Sequence, residues 1–162
     1  MADLLVRLYD LPAFASEQKV AAQGIVVRRA LPPERGHILD WIGPRFSPYW
    51  VSEAAGCMSR LPPSLFVAID GQRLLGFACY DGTAKGFFGP TGVDEAARGR
   101  GIGETLLIVT LRAMREAGYG YAVIGDPGPV EFYRKRLDVL EIPKSDPGIY
   151  AGMLPSKLGP SG

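Results

Sequence analysis

Residues 93–107, Val-Asp-Glu-Ala-Ala-Arg-Gly-Arg-Gly-Ile-Gly-Glu-Thr-Leu-Leu, hold the spacing that speaks most directly of chemistry. Gly99, Gly101 and Gly103 alternate with Arg100 and Ile102, between the end of an expected strand and the first turn of an expected helix. Glycine admits positive φ and lets another molecule approach the backbone with no Cβ in the way. N–H groups entering a helix N-terminus lack intrahelical acceptors, and the helix dipole adds partial positive charge there. Arg98 and Arg100 bring full charges in a form suited to phosphate oxygens. The pattern predicts a pyrophosphate cradle.

Other phosphate-binding patterns do not fit. The third residue after Gly101 is Glu104, so G-x-G-x-x-G fails, and no Gly-Lys-Ser or Gly-Lys-Thr offers a P-loop. The alternative is a tight strand-to-helix turn that binds nothing.

The elements that must position this loop follow from the pattern around it. A strand over 85–93 delivers it; Pro90 removes a ladder donor there, and Gly89 and Gly92 predict a bulge or a close approach. A helix over 101–116 receives it, with Ile102, Leu106, Val109 and Ala113 in one row and a stop at Gly118. Upstream, strands are expected over 4–9 and 24–29, joined by a polar connector. A helix follows over 34–41, closed by Gly43-Pro44, and another over 48–58, with Ser47 as N-cap and Pro48 at its first position. A hairpin over 64–69 and 73–80 turns at Asp70-Gly71. Downstream come a strand over 119–124, a short helix through Leu137, and two closing strands over 139–142 and 149–154.

The 162 residues suit one domain with one buried core. A formal net charge of +1 leaves no broad basic field for nucleic acid or an anionic membrane. Cys57 and Cys79 are the only cysteines, too few for a disulfide framework and without metal-ligand spacing. They read as reduced thiols of a cytoplasmic protein. No export signal and no membrane-spanning run is expected, and no metal is called for.

Arg98-x-x-Gly101-x-Gly103, after a strand ending at Val93, resembles motif A of the GNAT-type N-acetyltransferase superfamily, [Q/R]-x-x-G-x-[G/A]. The element order over 25–154 is similar too, most closely over 93–133. The resemblance implies the acyl-CoA N-acyltransferase fold, of α/β (α+β) class: a single mixed, centrally antiparallel sheet, splayed at the cofactor site and flanked by about four helices. It would occupy 1–154 as one domain, with an N-terminal extension at about 1–24 and a flexible tail at 155–162. It implies acetyl-CoA as acyl donor and coenzyme A as product. The backbone at Thr91, Gly92 and Val93 would meet the pantetheine arm and thioester carbonyl. The loop amides of Gly99, Arg100, Gly101, Ile102, Gly103 and Glu104 would hold the pyrophosphate.

Two downstream positions match as well. Asp126 stands where relatives often carry Asn, and Tyr133 stands seven residues later. A departing thiolate needs a proton or hydrogen bond, and a phenol there can give it, which makes Tyr133 the expected general acid. Asp126 cannot donate unless protonated, so it either touches the cofactor or caps the helix. This chain has Leu137-Asp138 where many relatives have Gly-Phe, and Tyr121 where some carry a glutamate base. Glu53, Tyr80, Asp81 and His37 remain for the base, with Glu53 the named candidate; a water relay or an already neutral amine would make any base unnecessary.

In this fold the acceptor site is shaped by the first two helices, their junction and the closing strands. Residues 41–50 hold four aromatics, Trp41, Phe46, Tyr49 and Trp50, which predicts an aromatic-walled pocket with Phe46, Tyr49 and Tyr80 against the acceptor. In the alternative, Trp41 and Trp50 fill the core and only Tyr49 faces out. The expectation is an acetyl-CoA-dependent N-acetyltransferase acting on a small-molecule or peptide amine by direct attack in a ternary complex. Neither cysteine sits in an activating setting for a covalent acyl-enzyme. The rivals are a non-catalytic acyl-CoA sensor of the same fold and an interaction domain that binds no CoA. The closing strands are as able to pair with a second subunit, as a homodimer, as within one chain.

Overall fold

Alternation organises the central hairpin on either side of a bulge at Leu75. In β3 (Leu65–Asp70), Leu65 and Val67 face one helical layer, while Phe66 and Ala68 face the other. In β4 (Arg73–Tyr80), Phe77 and Cys79 take the first side, and Ala78 and Tyr80 the second. Both strands are therefore buried on two faces, which is why they read as continuous apolar runs. Asp70 pairs with Arg73 across Gly71 and Gln72, and Gly71 takes the positive φ (+63°) this turn needs.

The computed structural model describes residues 1–156, so the expected tail lies outside the described residues from Lys157 onward. The remaining strands are β1 (Leu4–Arg7), β2 (Ile25–Arg29), β5 (Phe87–Val93), β6 (Tyr121–Ile124) and β7 (Val139–Glu141). They form one seven-stranded sheet in the order β2-β3-β4-β5-β6-β1-β7. Every pair is antiparallel except β5 with β6. The helices are α1 (Ser16–Ala22), α2 (Arg35–Arg45), α3 (Pro48–Met58), α4 (Ile102–Glu116) and α5 (Val130–Arg134). α2 and α3 cover one face through Ile38, Trp41, Ile42 and Ala54; α1 and α4 cover the other through Val20, Leu106, Leu107 and Leu111. Among the described residues no helix is long and apolar enough to cross a membrane.

The expected α3 forms as anticipated, with Ser47 Oγ accepting from Tyr49 N at 3.1 Å. Other elements differ. α2 does not stop at Gly43-Pro44 but carries Pro44 in its last turn, giving up one N–H there. The polar connector holds α1, whose Ser-Glu-Gln-Lys-Val-Ala-Ala run ends before Gly24 at φ +77°. Its helix-forming residues were a usable signal.

The closing strands are the largest difference. β7 forms, but residues 149–154 are no strand. Pro147 lacks an N–H, and Gly148 and Gly152 turn the chain at φ +59° and +72°. The slot beside β6 is already filled: β1, from the segment expected as an N-terminal extension, pairs with β6 on one side and β7 on the other. The C-terminal segment runs instead as a strap, with Ser145 Oγ accepting from Asp3 N at 2.7 Å and Leu154 O accepting from Tyr49 Oη at 2.8 Å.

Candidate active site

The site begins where two parallel strands part. β5 and β6 pair only at Phe87 with Val123 and Phe88 with Ile124. Beyond that β5 continues to Val93, while Gly125 and Asp126 lead the chain away, Asp126 at φ +44°. On the β4 side, Tyr80 pairs with Phe88 and Ala78 with Thr91, so two residues of β5, Gly89 and Pro90, stand against one of β4. This is the expected bulge, and it bends β5 from β6. The gap opens into a cavity of about 1260 Å³. That exceeds the roughly 300–1,000 Å³ of common small-ligand pockets, leaving room for a long ligand and a second one.

The glycine loop forms one end. Gly99 and Gly101 take φ +81° and +86°, conformations that need glycine. Thr105 N is the first α4 amide bonded back into the helix, to Gly101 O at 3.1 Å, so those of Ile102, Gly103 and Glu104 have no intrahelical acceptor. The Glu104 carboxylate is balanced by Arg136, whose Nε lies 3.1 Å from Oε1. That nitrogen has no hydrogen-bond partner, so the contact is an ion pair off the N–H axis. The Arg136 guanidinium also stacks 4.0 Å above the Phe132 ring. Arg98 is exposed, lines the cavity, and has no ion pair among the described residues. The donor set fits a pyrophosphate-bearing acyl donor.

Of the expected residues, Thr91, Gly92, Val93, Arg98, Gly99, Gly101, Ile102, Gly103, Glu104, Asp126 and Tyr133 line this one cavity, as do Glu53, Phe46 and Tyr49. Two do not. Arg100 turns its side chain to α1, donating from Nε to Gln23 Oε1 at 2.8 Å, while Gln23 Nε2 donates to Arg100 O at 3.0 Å. Tyr80 lies on the α4 face by strand alternation, with its hydroxyl 3.0 Å from Arg29 Nη1. Asp126 lines the cavity but does not cap α5, whose N-cap position is Pro129 and has no side-chain cap. Of the other bases considered, His37 lines a separate cavity and not this one. Asp81 is taken up by Tyr119 Oη and Gly86 N, at 2.9 and 2.8 Å.

Glu53 remains, facing the cavity from α3. Burial raises its pKa above the ordinary carboxylate range, and a hydrogen bond from Thr83 Oγ1 opposes this in part. Tyr133 is buried with its ring edge-on to Phe88 and Phe132, and burial pushes its phenol up to about 12. Thr83 and Tyr150, neither expected, complete the polar end. A Cβ at Gly125 would stand 2.6 Å from Tyr150 Oη, so the tyrosine closes over that backbone. Burial raises its pKa also. No signal of local periodicity marks Tyr150, because the strap alone brings it there. The aromatic wall is mixed: Trp41 is in the core, whereas Phe46, Tyr49 and Trp50 line the cavity.

The sequence pattern describing the acetyltransferase (GNAT) family matches residues 32–138, about two-thirds of the chain. The chain belongs to the acetyltransferase (GNAT) family. The family is described as one of acetyltransferases and generally uses acetyl-CoA. No curated protein matches the chain. Among solved structures, it resembles a GCN5-related glucosamine N-acetyltransferase region of a fungal multi-domain β-N-acetylglucosaminidase at a TM-score of 0.71 and 16% identity, covering 87% of this chain and 19% of that one. It also resembles a GCN5-related N-acetyltransferase from Sphaerobacter thermophilus at 0.64 and 18%, covering 86% and 48%. At such identities the likeness is one of fold. The GNAT chain spans less than half the length of either structure.

Proposed function

We infer that this GNAT protein is an acetyl-CoA-dependent N-acetyltransferase that moves an acetyl group to the amine of a small molecule or peptide by direct attack in a ternary complex. One observation carries the reading: a single cavity joins the free amides at the start of α4, the unpaired edge of β5 and the Glu53 carboxylate. Acetyl-CoA supplies an acetyl group held on a thioester. The α4 amides and Arg98 hold the pyrophosphate, and the β5 edge at residues 91–93 meets the pantetheine arm much as an added strand would. The Glu53 carboxylate accepts the proton of the attacking amine. The Tyr133 hydroxyl, kept protonated by burial, offers its proton to the departing thiolate. Phe46, Tyr49 and Trp50 receive the apolar body of the acceptor.

The test is a thermal melt with and without acetyl-CoA, followed by acetyl-CoA consumption across a panel of amines. At 100 times Kd a ligand stabilises the native state by about 2.7 kcal/mol, a rise on the order of 5–11 °C for a domain of this size. A shift with turnover supports the enzyme. A shift with no turnover on any amine favours an acyl-CoA sensor, and no shift with any CoA species removes both readings.

A further inference from the structure

Ser16 opens α1, outside the family-matched residues, and its hydroxyl is orphaned. The residue is 4% exposed, and Oγ has no hydrogen-bond partner. It nonetheless lines the large cavity, and so does Lys19 one turn later. A buried hydroxyl without a partner costs free energy, so a ligand that satisfies it recovers that cost. Lys19 is exposed and has no ion pair among the described residues. Both stand directly over the phosphate loop: a Cβ at Gly101 would be 3.5 Å from Ser16 Cβ and 3.6 Å from Lys19 Cδ.

α1 is held in that place. Gln23, just past its end, is doubly bonded to Arg100, and Glu17 pairs with Arg112 of α4 at 2.6 Å. Val20 is buried in the core below. The helix that carries Ser16 and Lys19 is thus held in place before any ligand arrives.

The geometry points to α1 as the second wall of the phosphate site, with the Ser16 hydroxyl and the Lys19 ammonium binding phosphate oxygens of the acyl donor opposite the α4 amides. This rests on the coenzyme A reading above. It places recognition of the donor's phosphates partly in the first two dozen residues.

The full chain, Ser16→Ala, Lys19→Ala and the double variant are titrated calorimetrically with coenzyme A and with pantetheine, which lacks phosphate. Each single change is expected to weaken coenzyme A binding about tenfold, the order of one charge-assisted hydrogen bond, and to leave pantetheine binding unchanged. Ser16→Ala is also expected to raise or preserve the melting temperature of the free protein, because it deletes an unsatisfied buried group. If the double variant binds coenzyme A as tightly as the unaltered chain, this inference falls and the enzyme reading stands. Equal losses for coenzyme A and pantetheine would make α1 a packing element only. If the unaltered chain binds no CoA species, both readings fall together.

Discussion

The Phe46 ring rests on the backbone of Gly92: a Cβ at position 92 would stand 2.5 Å from Cζ of that ring. Trp50, Trp41 and Phe77 surround the ring at centroid distances of 5.0, 5.9 and 5.9 Å, so it has little room to swing aside. The junction of α2 and α3 is thereby seated on the part of β5 that faces the gap. Gly92→Ala should destabilise the fold by about 1–3 kcal/mol through overpacking, and should lower turnover. Urea denaturation and steady-state kinetics read the two effects. Phe46→Leu in the same chain should recover most of the stability; additive losses in the double-mutant cycle would mean the two residues are not coupled.

Tyr133→Phe should lower kcat by about 10²–10⁴-fold, the range of general acid catalysis, while coenzyme A affinity stays near its original value. A folded-state pKa of about 12 lies above the ordinary 10, so the fold favours the protonated phenol. That stability is fully present below pH 10 and is lost as pH climbs through 12. The unaltered protein should lose stability faster than Tyr133→Phe over that window, as melts across the pH series would reveal. Unchanged kcat in the variant removes Tyr133 from proton transfer.

Glu53 should cost the protein stability at neutral pH. Burial raises its folded pKa, so the favourable protonated state is held below the unfolded carboxylate range and lost as pH rises through the folded value. Glu53→Gln should therefore raise the melting temperature at pH 7 while sharply reducing kcat/KM. The acidic limb of kcat/KM in the unaltered protein should lie above the usual carboxylate range and vanish in the variant. A limb that persists assigns the base elsewhere.

No acyl-enzyme should accumulate. Cys57, in α3, and Cys79, in β4, are fully buried, and neither lines the cavity. The thiol of Cys57 is drawn down to about 7, first by the hydrogen bond with Cys79, but burial keeps it from any thioester. Incubation with acetyl-CoA and no amine should leave the intact mass unchanged, and Cys57→Ala should still turn over. An added acetyl mass that disappears in Cys57→Ala would overturn direct attack.

β1 should be indispensable. Leu4 is buried, and its strand bonds on both sides, to β6 and β7. Leu4→Ala should cost about 2–5 kcal/mol, as in a core, where a detachable extension would show changes within about 0.5 kcal/mol. Chemical denaturation distinguishes the two.

Local patterns carried the glycine-loop end of the cavity in this sequence. Gly99, Gly101 and Gly103 are contiguous with the α4 row of Ile102 and Leu106, so one short window specifies both the loop and the helix that presents it. The bulge at Gly89-Pro90 was equally local, because Pro90 cannot donate to a ladder. What local patterns lack is any record of which distant segments meet. Alternation placed Tyr80 in a strand, but only the assembled sheet decided that its hydroxyl meets Arg29 and does not line the cavity. Arg100 shares the loop's charge, yet Gln23, 77 residues away, takes its side chain. The pairing of residues 4–7 and the path of residues 145–154 were decided by tertiary structure. β1 fills the slot beside β6, and the C-terminal strap, left without a strand to join, carries Tyr150 across the cavity. Strand pairing depends on which edge is free, a property of the assembled sheet and not of any one window of residues.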